Sequence, residues 1–462
     1  MDIQSRGDIG MAVEKNEKFI ILAVALGIIL NPLNTTMITV ALPAIQKDFQ
    51  LTSTNISWLI ASYFIISAIF TPLIGKLSDI YGRKLILLIG LMLVVVSSIL
   101  APLSPNMPVL LLMRGIQAIG TSALFPAGVG VIRNTIQHNQ NRVIGTLAVF
   151  ATTSAAFGPT IGGMLIQFGG WPVIFYVNLP ILAIAIGLTM VFIPKDKKNT
   201  AISYKLDGIG IILFSFFITS WMVFLLGLEQ GVHIGILILA VILTVIFYIY
   251  EKRRDEPFIN VNFFRKNLNV ALIFGQYILS TVIFFAVLLS FPTFIQSSLG
   301  ASSQMAGIVM LSLSIFAMIM TPIATRWIER KGFRVPLMSS VLLGLVGVIL
   351  LFTVKDNSAL VWIGIVLAVT GISNGIQNIG LQNLLYSFIS VSESGIASGL
   401  LMTSRFIGNI LASSIYGVAF ATGMNEGNMK TMAIVLVVVA VVLVPGMLYV
   451  TVSEKKNREK TV

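Results

Sequence analysis

The chain has 462 residues, of which 56% are hydrophobic and only 10% are charged, and its net charge is +12. Soluble domains carry about a quarter charged residues, so this composition excludes an ordinary soluble protein and predicts a polytopic membrane protein. The excess of basic residues then reports membrane topology rather than nucleic-acid binding. The absence of cysteine excludes disulfides, thiolate metal sites and thiol catalysis.

The sequence contains a series of apolar segments of about twenty residues, the length that crosses a bilayer as a helix. Fourteen spans are predicted, at residues 19–41, 55–76, 85–103, 108–132, 143–167, 173–193, 207–227, 234–250, 269–295, 305–327, 335–354, 359–385, 395–421 and 431–452. The polar residues 1–18 lead directly into the first span, which predicts that no signal peptide is cleaved.

The positions of the basic residues predict the orientation of the spans. If the N-terminus is cytoplasmic, the inner segments hold 25 of the 30 basic residues. The outer loops then hold only Lys47, Lys355 and Lys430, while Arg114 and Arg405 lie inside spans. Because basic residues are retained on the cytoplasmic side, both termini are expected in the cytoplasm.

Two polar linkers divide the predicted spans into groups. We expect a cytoplasmic N-terminus (1–18), an N-terminal six-helix bundle (19–193), a linker (194–206), two inserted helices (207–250), a second linker (251–268), a C-terminal six-helix bundle (269–452) and a cytoplasmic C-terminus (453–462). Transporters are often built from two related halves around a central site. A weak repeat supports this division, since Thr321-Pro322 recurs where Thr71-Pro72 lies in the first half.

In the first span, Asn31, Asn34 and Thr35 share one helical face by their three- and four-residue spacing. Amides in an apolar span are costly unless they meet each other or water. This face is therefore predicted to line a central cavity. Hydrogen bonding between helices, with no ligand involved, is the alternative for any single residue.

The loop between the second and third spans reads Gly75-Lys76-Leu77-Ser78-Asp79-Ile80-Tyr81-Gly82-Arg83-Lys84. Gly75 is expected to allow close approach of another helix, and Gly82 to permit a tight turn. Arg83 and Lys84 hold the loop on the cytoplasmic side, and Asp79 can cap a helix or pair across a movable interface. A conformational gating role is predicted for this loop.

The fourth span carries Arg114 and Gln117. An arginine well inside a span costs about 2.5–3.5 kcal/mol on insertion scales, so it should face the bundle interior or a wet cavity. We assign both residues to coupling or to the substrate cavity. A purely structural role, with the arginine bonded to backbone carbonyls, is the alternative.

The fifth span contains Gly158, Pro159, Gly162 and Gly163. Small residues four apart let helices pack closely, and proline removes a backbone hydrogen bond and bends the helix. Such a helix can rock against its neighbour, so these residues are also predicted to act in gating. A plain packing seam is the alternative.

The twelfth span resembles the first in its amides. Asn374, Gln377 and Asn378 recur at helical spacing, and Arg405 lies in the span that follows. These four residues complete the predicted cavity.

Several of these motifs carry a family resemblance. The loop pattern G-x-L-x-D-x-x-G-R-K resembles the signature loop of the major facilitator superfamily, and Arg114–Gly120 is similar to its R-x-x-Q-G-x-G pattern with Ala118 at one glycine. Ser154–Gly163 resembles the G-x-x-x-G-P-x-x-G-G signature of its exporters, with Ser154 replacing the first glycine.

Three further stretches resemble one branch of that superfamily, the fourteen-span drug:proton antiporters. They are Leu33–Pro43, Trp171–Pro180 and Gly399–Gly408, so the resemblance covers about residues 30 to 420. It implies an all-α polytopic membrane protein with the major facilitator fold, in which two six-helix bundles and two extra central helices make 14 transmembrane helices. It also implies a bacterial cytoplasmic membrane and multidrug efflux with antibiotic resistance.

One departure from the family pattern affects the mechanism. Asn34 stands where the antiporters have an aspartate, and no other acid lies in the middle of a predicted span. An asparagine cannot release a proton, so proton antiport is in doubt at its most obvious site. The loop from Asn134 to Asn141 also has no acid for Arg83, which leaves Asp79 as the acid of the inner network.

The leading hypothesis is a secondary exporter of amphipathic, hydrophobic compounds that works by alternating access. An exporter or flippase of lipids, fatty acids or other anionic amphiphiles is the first alternative, because Arg114 and Arg405 could attract an anionic headgroup. A non-transporting membrane sensor or scaffold is the second. No nucleophile–base pair or metal set lies in any span, so we expect no enzyme, cofactor or metal site. The expected partners are small amphipathic substrates, membrane lipids and, if proton antiport is retained, protons as the coupling ion. We expect no binding of nucleic acid, and we expect the protein to be a monomer.

Overall fold

The computed structural model describes residues 3–136, 140–196, 207–228, 231–254, 257–259, 261, 268–389 and 394–461. Within the helices some side chains lie outside the described residues, among them those of residues 3–16 and of Asp79. The described residues form helices joined by short connections, and they contain no strand.

The described chain contains fourteen helices of fifteen or more residues. They are α1 (Ile3–Phe49), α2 (Ser53–Tyr81), α3 (Arg83–Leu100), α4 (Met107–Thr135), α5 (Gln140–Gly169), α6 (Asn178–Phe192), α7 (Gly208–Gly227), α8 (Ile234–Lys252), α9 (Leu268–Ser297), α10 (Ser303–Lys331), α11 (Arg334–Leu350), α12 (Leu360–Ser387), α13 (Ser394–Ala419) and α14 (Glu426–Thr461). A short helix at Val173–Tyr176 precedes α6, and 3₁₀ turns at Ala101–Leu103 and Leu351–Thr353 follow α3 and α11.

Polar side chains mark the beginnings of several helices. Asn106 accepts a hydrogen bond from Val109 N at 3.1 Å before α4, and Ser302 accepts one from Met305 N at 3.2 Å before α10. Each cap satisfies a backbone donor that the first helical turn leaves open. These helices therefore begin where the local sequence supplies an acceptor.

Twelve segments of the described chain are long and apolar enough to cross a membrane. They fall in every long helix except α5 and α13. The polytopic all-helical fold is thus confirmed, whereas the predicted count of fourteen spans is not confirmed by this measure. Neither α5 nor α13 has all of its side chains among the described residues.

The helices differ from the predicted spans mainly at their ends. The first span was expected to begin at residue 19, but α1 begins at Ile3. The predicted sixth span, 173–193, is interrupted at Val177 between two helices. Hydropathy detects only the apolar part of a helix, and a helix continues into polar residues as long as its backbone bonds are satisfied.

The helices pack into two compact units. The first comprises Met1–Thr35, Phe70–Gly158 and Trp171–Leu206, and therefore holds α3, α4 and α6 with parts of α1, α2 and α5. Its apolar core includes Val24 on α1, Leu91 on α3 and Leu124 on α4, all fully buried. The second comprises Thr36–Ile69, Pro159–Gly170 and Asp207–Val462, and holds the remaining parts of α1, α2 and α5 with α7 to α14.

Candidate functional site

A cluster of buried amides lies at the centre of the first unit. Asn34 on α1, Gln117 on α4 and Asn178 at the start of α6 are each at most 4% exposed. Gln117 donates to Asn34 Oδ1 at 3.1 Å, and Asn178 donates to the same oxygen at 2.8 Å. Asn34 Nδ2 in turn donates to Leu30 O at 2.8 Å and to Asn178 Oδ1 at 3.3 Å. The Asn34 amide is thereby satisfied within the protein.

Arg114 joins this cluster through Gln117. Its guanidinium donates to Gln117 Oε1, and the arginine is only 2% exposed. Arginine, glutamine and asparagine therefore form one hydrogen-bonded row that runs from α4 across α1 to α6. Arg114 is thus buried inside the bundle and is linked to Asn34 through Gln117.

Asn178 is a member of the cluster that the sequence analysis did not place there. It lies in the Trp171–Pro180 stretch that carried a family resemblance, and the presence of an amide within a predicted span was the available signal. Asn31, one turn before Asn34, is half-buried.

The cluster explains why an amide fits at position 34. An aspartate accepts hydrogen bonds but cannot donate them when ionised. It would keep the bonds from Gln117 and Asn178 but would lose both bonds that Asn34 Nδ2 donates. The neighbours of Asn34 are thus arranged for a neutral side chain that both donates and accepts.

The loop between α2 and α3 is held by residues far away in sequence. Gly82 has φ +108°, in the region that favours glycine, and a Cβ there would lie 2.6 Å from Asp196 Oδ2. Asp196 Oδ2 accepts a hydrogen bond from Lys84 N at 2.8 Å, so it caps the start of α3. The Lys84 ammonium donates to Met190 O and Ile193 O at the end of α6, at 2.9 and 2.5 Å. Lys84 of α3 therefore binds the carbonyl groups at the end of α6, and Asp196, four residues after that end, binds a backbone N–H group of α3.

Arg83 connects the same loop to α4. It donates to Gly130 O and, at 2.9 Å, to Asn134 Oδ1 near the end of that helix. The sequence analysis found no acid for Arg83 and left Asp79 as the acid of this network. The structure adds a carbonyl and an amide as partners of Arg83 and a second acid, Asp196, to the loop. The Asp79 side chain lies outside the described residues.

Among the described residues, Gly75 makes no close helix contact. A Cβ at this position would meet Pro126 Cβ at 3.8 Å, which is ordinary contact distance. The tight contacts near this loop are instead at Gly82 and at Gly130, where a Cβ would lie 2.7 Å from Arg83 Nε. The glycine pattern alone does not reveal which glycine lies against a neighbour.

The glycines of α5 form backbone contacts in the second unit. A Cβ at Gly162 would lie 3.1 Å from Met37 Cα, and one at Gly163 would collide with Ser303 O. From the other side, a Cβ at Gly307 on α10 would lie 2.7 Å from Pro159 O. Hydrogen bonds from Thr160 Oγ1 to Gly307 O, 2.8 Å, and from Ser303 Oγ to Gly163 O, 3.3 Å, join the two backbones. We call these contacts the α5–α10 seam; Gly158 is buried beside it.

Other contacts in the second unit join α1 and α2 to later helices. Gln296 on α9 donates to Val40 O at 3.0 Å. The Phe64 ring packs edge-on against Phe285, with centroids 5.1 Å apart, and lies 6.1 Å from the Phe406 ring. These contacts and the seam all lie near the ends of α1, α2 and α5 that belong to the second unit.

The predicted cavity residues of the second unit divide between two places. Asn374 and Gln377 line a small pocket that also includes Ser280 on α9 and Gly344 on α11. Asn378 instead accepts a hydrogen bond from the Tyr277 hydroxyl at 3.2 Å. The half-buried Arg405 lies within electrostatic range of that same tyrosine.

Two acids lie at the ends of α7 and α8. Asp207 Oδ1 accepts hydrogen bonds from Gly210 N, 2.9 Å, and from the Tyr250 hydroxyl, 2.8 Å. Glu251 is fully buried and accepts one from Ile259 N at 3.0 Å. These carboxylates join helix ends to the following chain. The described residues contain no group of three or more His, Asp or Glu side chains placed to hold a metal ion.

Comparison with known proteins agrees with this fold. The sequence model of the Major Facilitator Superfamily matches residues 24–413. The chain is 37% identical over 432 residues to the uncharacterised MFS-type transporter YwoD of Bacillus subtilis (strain 168), covering 93% of this chain and 96% of that protein. It is 27% identical to the multidrug resistance protein Stp of Mycobacterium tuberculosis (strain CDC 1551 / Oshkosh), covering 89% and 78%.

A similar fold is seen in a crystal structure of a mutant of the nucleoside transporter NupG. The TM-score is 0.67 with 14% sequence identity, over 94% of this chain and 99% of that one. At this identity the likeness concerns the fold alone. Together with the family match over most of the length, it places the chain among membrane transporters rather than enzymes. The chain belongs to the major facilitator superfamily.

Proposed function

We propose that this chain is a fourteen-span exporter of amphipathic, hydrophobic compounds in the bacterial cytoplasmic membrane, with both termini in the cytoplasm. The distribution of basic residues supports this orientation. Export is supported by the glycine–proline pattern of α5 and by a relative that is named as a multidrug resistance protein.

The observation that carries the proposal is the α5–α10 seam. Its glycines bring two backbones close together, and its hydrogen bonds run from two hydroxyl groups to backbone carbonyls. A seam of this kind can separate and re-form without repacking a core, which is what alternating access requires of a gate. We infer that the seam closes the extracellular side, because both helix ends adjoin predicted outer loops, and that it opens to release the cargo.

The loop from Gly75 to Lys84 is the proposed gate on the cytoplasmic side. Arg83 and Lys84 support it by fastening α3 to the ends of α4 and α6. Asp79 is the acid of this loop, and its replacement by asparagine should slow transport without preventing membrane insertion.

Alanine substitutions at two helical glycines test the role of the seam. Gly307→Ala places a Cβ against Pro159 O, whereas Gly275→Ala on α9 places one where nothing lies within 4 Å. Overpacking costs about 1–3 kcal/mol, enough to change the populations of two conformers about fivefold to a hundredfold. We expect Gly307→Ala to slow efflux of a fluorescent amphiphilic dye from loaded cells while Gly275→Ala exports normally, at equal amounts of protein in the membrane.

Normal efflux by both variants would mean that the seam is simple packing and would contradict the proposed gate.

The same cells distinguish the cargo classes. A cationic dye tests multidrug efflux, and a fluorescent fatty acid tests the anionic-amphiphile alternative, which the embedded Arg405 favours. Export of the fatty acid alone would favour that alternative.

A further inference from the structure

Helices α4 and α12 share a short sequence at matching positions of the two predicted bundles. Arg114–Gly120 reads R-G-I-Q-A-I-G and Asn374–Gly380 reads N-G-I-Q-N-I-G, so five of the seven positions are identical. The repeat aligns Gln117 with Gln377 and Arg114 with Asn374. The surroundings of the two glutamines can therefore be compared directly.

In the first unit both ends of the glutamine amide are occupied. Gln117 Oε1 accepts from the Arg114 guanidinium, and Gln117 Nε2 donates to Asn34. The oxygen thus receives its hydrogen bond from a positive charge on its own helix. Hydrogen bonds of this kind are about twice as strong as those between neutral groups.

In the second unit only the nitrogen of the amide is occupied. Gln377 Nε2 donates to Ser373 Oγ at 3.0 Å, and Ser373 donates its own proton to Ser340 O at 2.8 Å. Because that proton is committed, the amide must turn its nitrogen toward Ser373 and its oxygen away. Gln377 Oε1 is buried, and within the part of the chain that the structure describes it has no hydrogen-bond partner. The side chain as a whole is 3% exposed.

Gln377 lines a pocket enclosed by α9, α11, α12 and α14. Its volume is about 10 Å³, which holds roughly one water molecule or one small ion. Gly344 keeps this space open, since a Cβ there would lie 2.8 Å from Ser373 Oγ. Leu443 closes the side that belongs to α14.

The hydroxyl groups of the pocket present acceptors rather than donors. Ser280 donates its proton to Tyr277 O at 3.2 Å, and Thr370 donates to Val366 O at 3.2 Å. Their lone pairs belong to residues that line the same pocket as Gln377, and Asn374, whose amide includes a further oxygen, lines it too. A buried set of oxygen acceptors is satisfied by a cation, because hard cations bind carbonyl and hydroxyl oxygens.

We propose that this pocket binds a small monovalent cation, with Na⁺ as its representative, in the role that the Arg114 guanidinium has in the first unit. Gln377 Oε1 is its principal ligand, and Ser280, Thr370, Ser373 and Asn374 supply the other oxygens. If the chain is an exporter as proposed above, the cation is a candidate coupling ion that needs no carboxylate in the middle of a span. Binding itself does not depend on that proposal.

Thermal unfolding of the purified protein in detergent tests the site without any transport measurement. NaCl is titrated against choline chloride at constant ionic strength, since choline is too large for the pocket. We expect a saturable, Na⁺-specific rise of the unfolding midpoint, because a ligand that binds only the folded state stabilises it. A midpoint that responds equally to both salts would mean that the pocket holds water only, and it would overturn the proposal.

Variants of the pocket assign the Na⁺ response to Gln377. Gln377→Leu should abolish the response, whereas the matched change Gln382→Leu, a half-buried glutamine further along α12, should keep it. Gln377→Glu adds a negative charge and should tighten Na⁺ binding about tenfold. Asn374→Arg supplies a permanent cation as in α4 and should remove the response while the protein stays folded. A full Na⁺ response in both Gln377→Leu and Asn374→Arg would exclude this pocket.

Discussion

In the first unit, Gln117 lies between an arginine and an asparagine, whereas in the second unit Gln377 lies between a serine and a small pocket. The two helices share most of the sequence around these glutamines. The surroundings of the two glutamines differ for two reasons. The residue one turn before the glutamine is Arg114 in α4 but Asn374 in α12, and the neighbouring helices present different side chains. In the first unit the neighbours include the amides of Asn34 and Asn178, whereas in the second they include hydroxyl groups and Leu443, which line a pocket.

The comparison teaches that a repeated helix need not repeat its chemistry. The row from Arg114 to Asn178 is a continuous hydrogen-bonded network in which both ends of the Gln117 amide are occupied, and it stabilises the packing of α1, α4 and α6. The pocket beside Gln377 keeps one buried acceptor that no described residue occupies. Helix α4 therefore carries a permanent positive charge on Arg114, whereas the proposed site on α12 can bind and release a cation.

The largest expected difference is between Gln117→Leu and Gln377→Leu in sodium-free buffer. Removing Gln117 takes away the acceptor of a buried guanidinium and one donor to Asn34, which should cost about 3 kcal/mol. Removing Gln377 deletes an acceptor that no described residue uses and one neutral hydrogen bond to Ser373 Oγ, and should cost about 1 kcal/mol. The free energy of unfolding in a denaturant titration measures both. Equal losses would mean that the two glutamines have equivalent surroundings.

Asn34→Asp tests whether the closed network tolerates a titratable group. The variant loses the bonds to Leu30 O and Asn178 Oδ1 when ionised, and regains a neutral side chain when protonated. Export by the variant should therefore depend more strongly on pH than export by the parent, measured in the same vesicles with an imposed pH gradient. Asn31→Asp, one turn away and half-buried, is the control.

For the parent protein we expect only a weak dependence on the proton gradient. Export in strict proportion to that gradient, with no change in Asn34→Asp, would place the coupling acid elsewhere. That result would also argue against a cation beside Gln377 as the coupling ion, but it would not argue against binding of a cation there.

Gly90→Ala and Gly344→Ala compare how rigidly the two regions are packed. A Cβ at Gly90 would lie 2.8 Å from Gly120 O, which is backbone, and 2.7 Å from Ala123 Cβ. A Cβ at Gly344 would lie 2.8 Å from Ser373 Oγ, a side chain that can rotate. We expect losses of about 2 kcal/mol for the first and about 1 kcal/mol or less for the second, measured by denaturant titration. The reverse order would contradict the view that the second region is the more adaptable.

Asp196→Ala should have the smallest effect, because the carboxylate is exposed. It removes the cap of α3, a change that costs about 0.5 kcal/mol at an exposed position. Hydrogen exchange of the first amides of α3 should become faster, while Asp196→Asn, which keeps an acceptor oxygen, should leave it nearly unchanged. Unchanged exchange in the alanine variant would mean that another group caps α3.

Features set by local sequence could be predicted, and those set by packing between helices could not. Apolar length predicts the helices, and the cost of a charge within a span predicts the buried position of Arg114. The ends of α1 and the break at Val177 escaped prediction because hydropathy does not detect how a helix ends.

Asn178, Asn134 and Asp196 were missed for a different reason. Each meets its partner across 50 or more positions of the chain, and no spacing rule reaches that far. The matching glutamines of α4 and α12 were a readable signal, since the repeat is present in the sequence itself. The sequence does not reveal that neighbouring side chains occupy both ends of the Gln117 amide, whereas no described residue binds the oxygen of Gln377.

The mutual capping of α3 and α6 has a consequence for how the protein is made. Lys84 N and Asp196 are separated by 112 positions. At about 5–20 residues per second, roughly ten seconds pass on the ribosome between the synthesis of the two. During that interval the acceptor for Lys84 N at the beginning of α3 has not been synthesised, and neither have the carbonyl groups that bind the Lys84 ammonium. A nascent chain released before residue 196 should therefore reach the membrane with its third helix still loose at the cytoplasmic end.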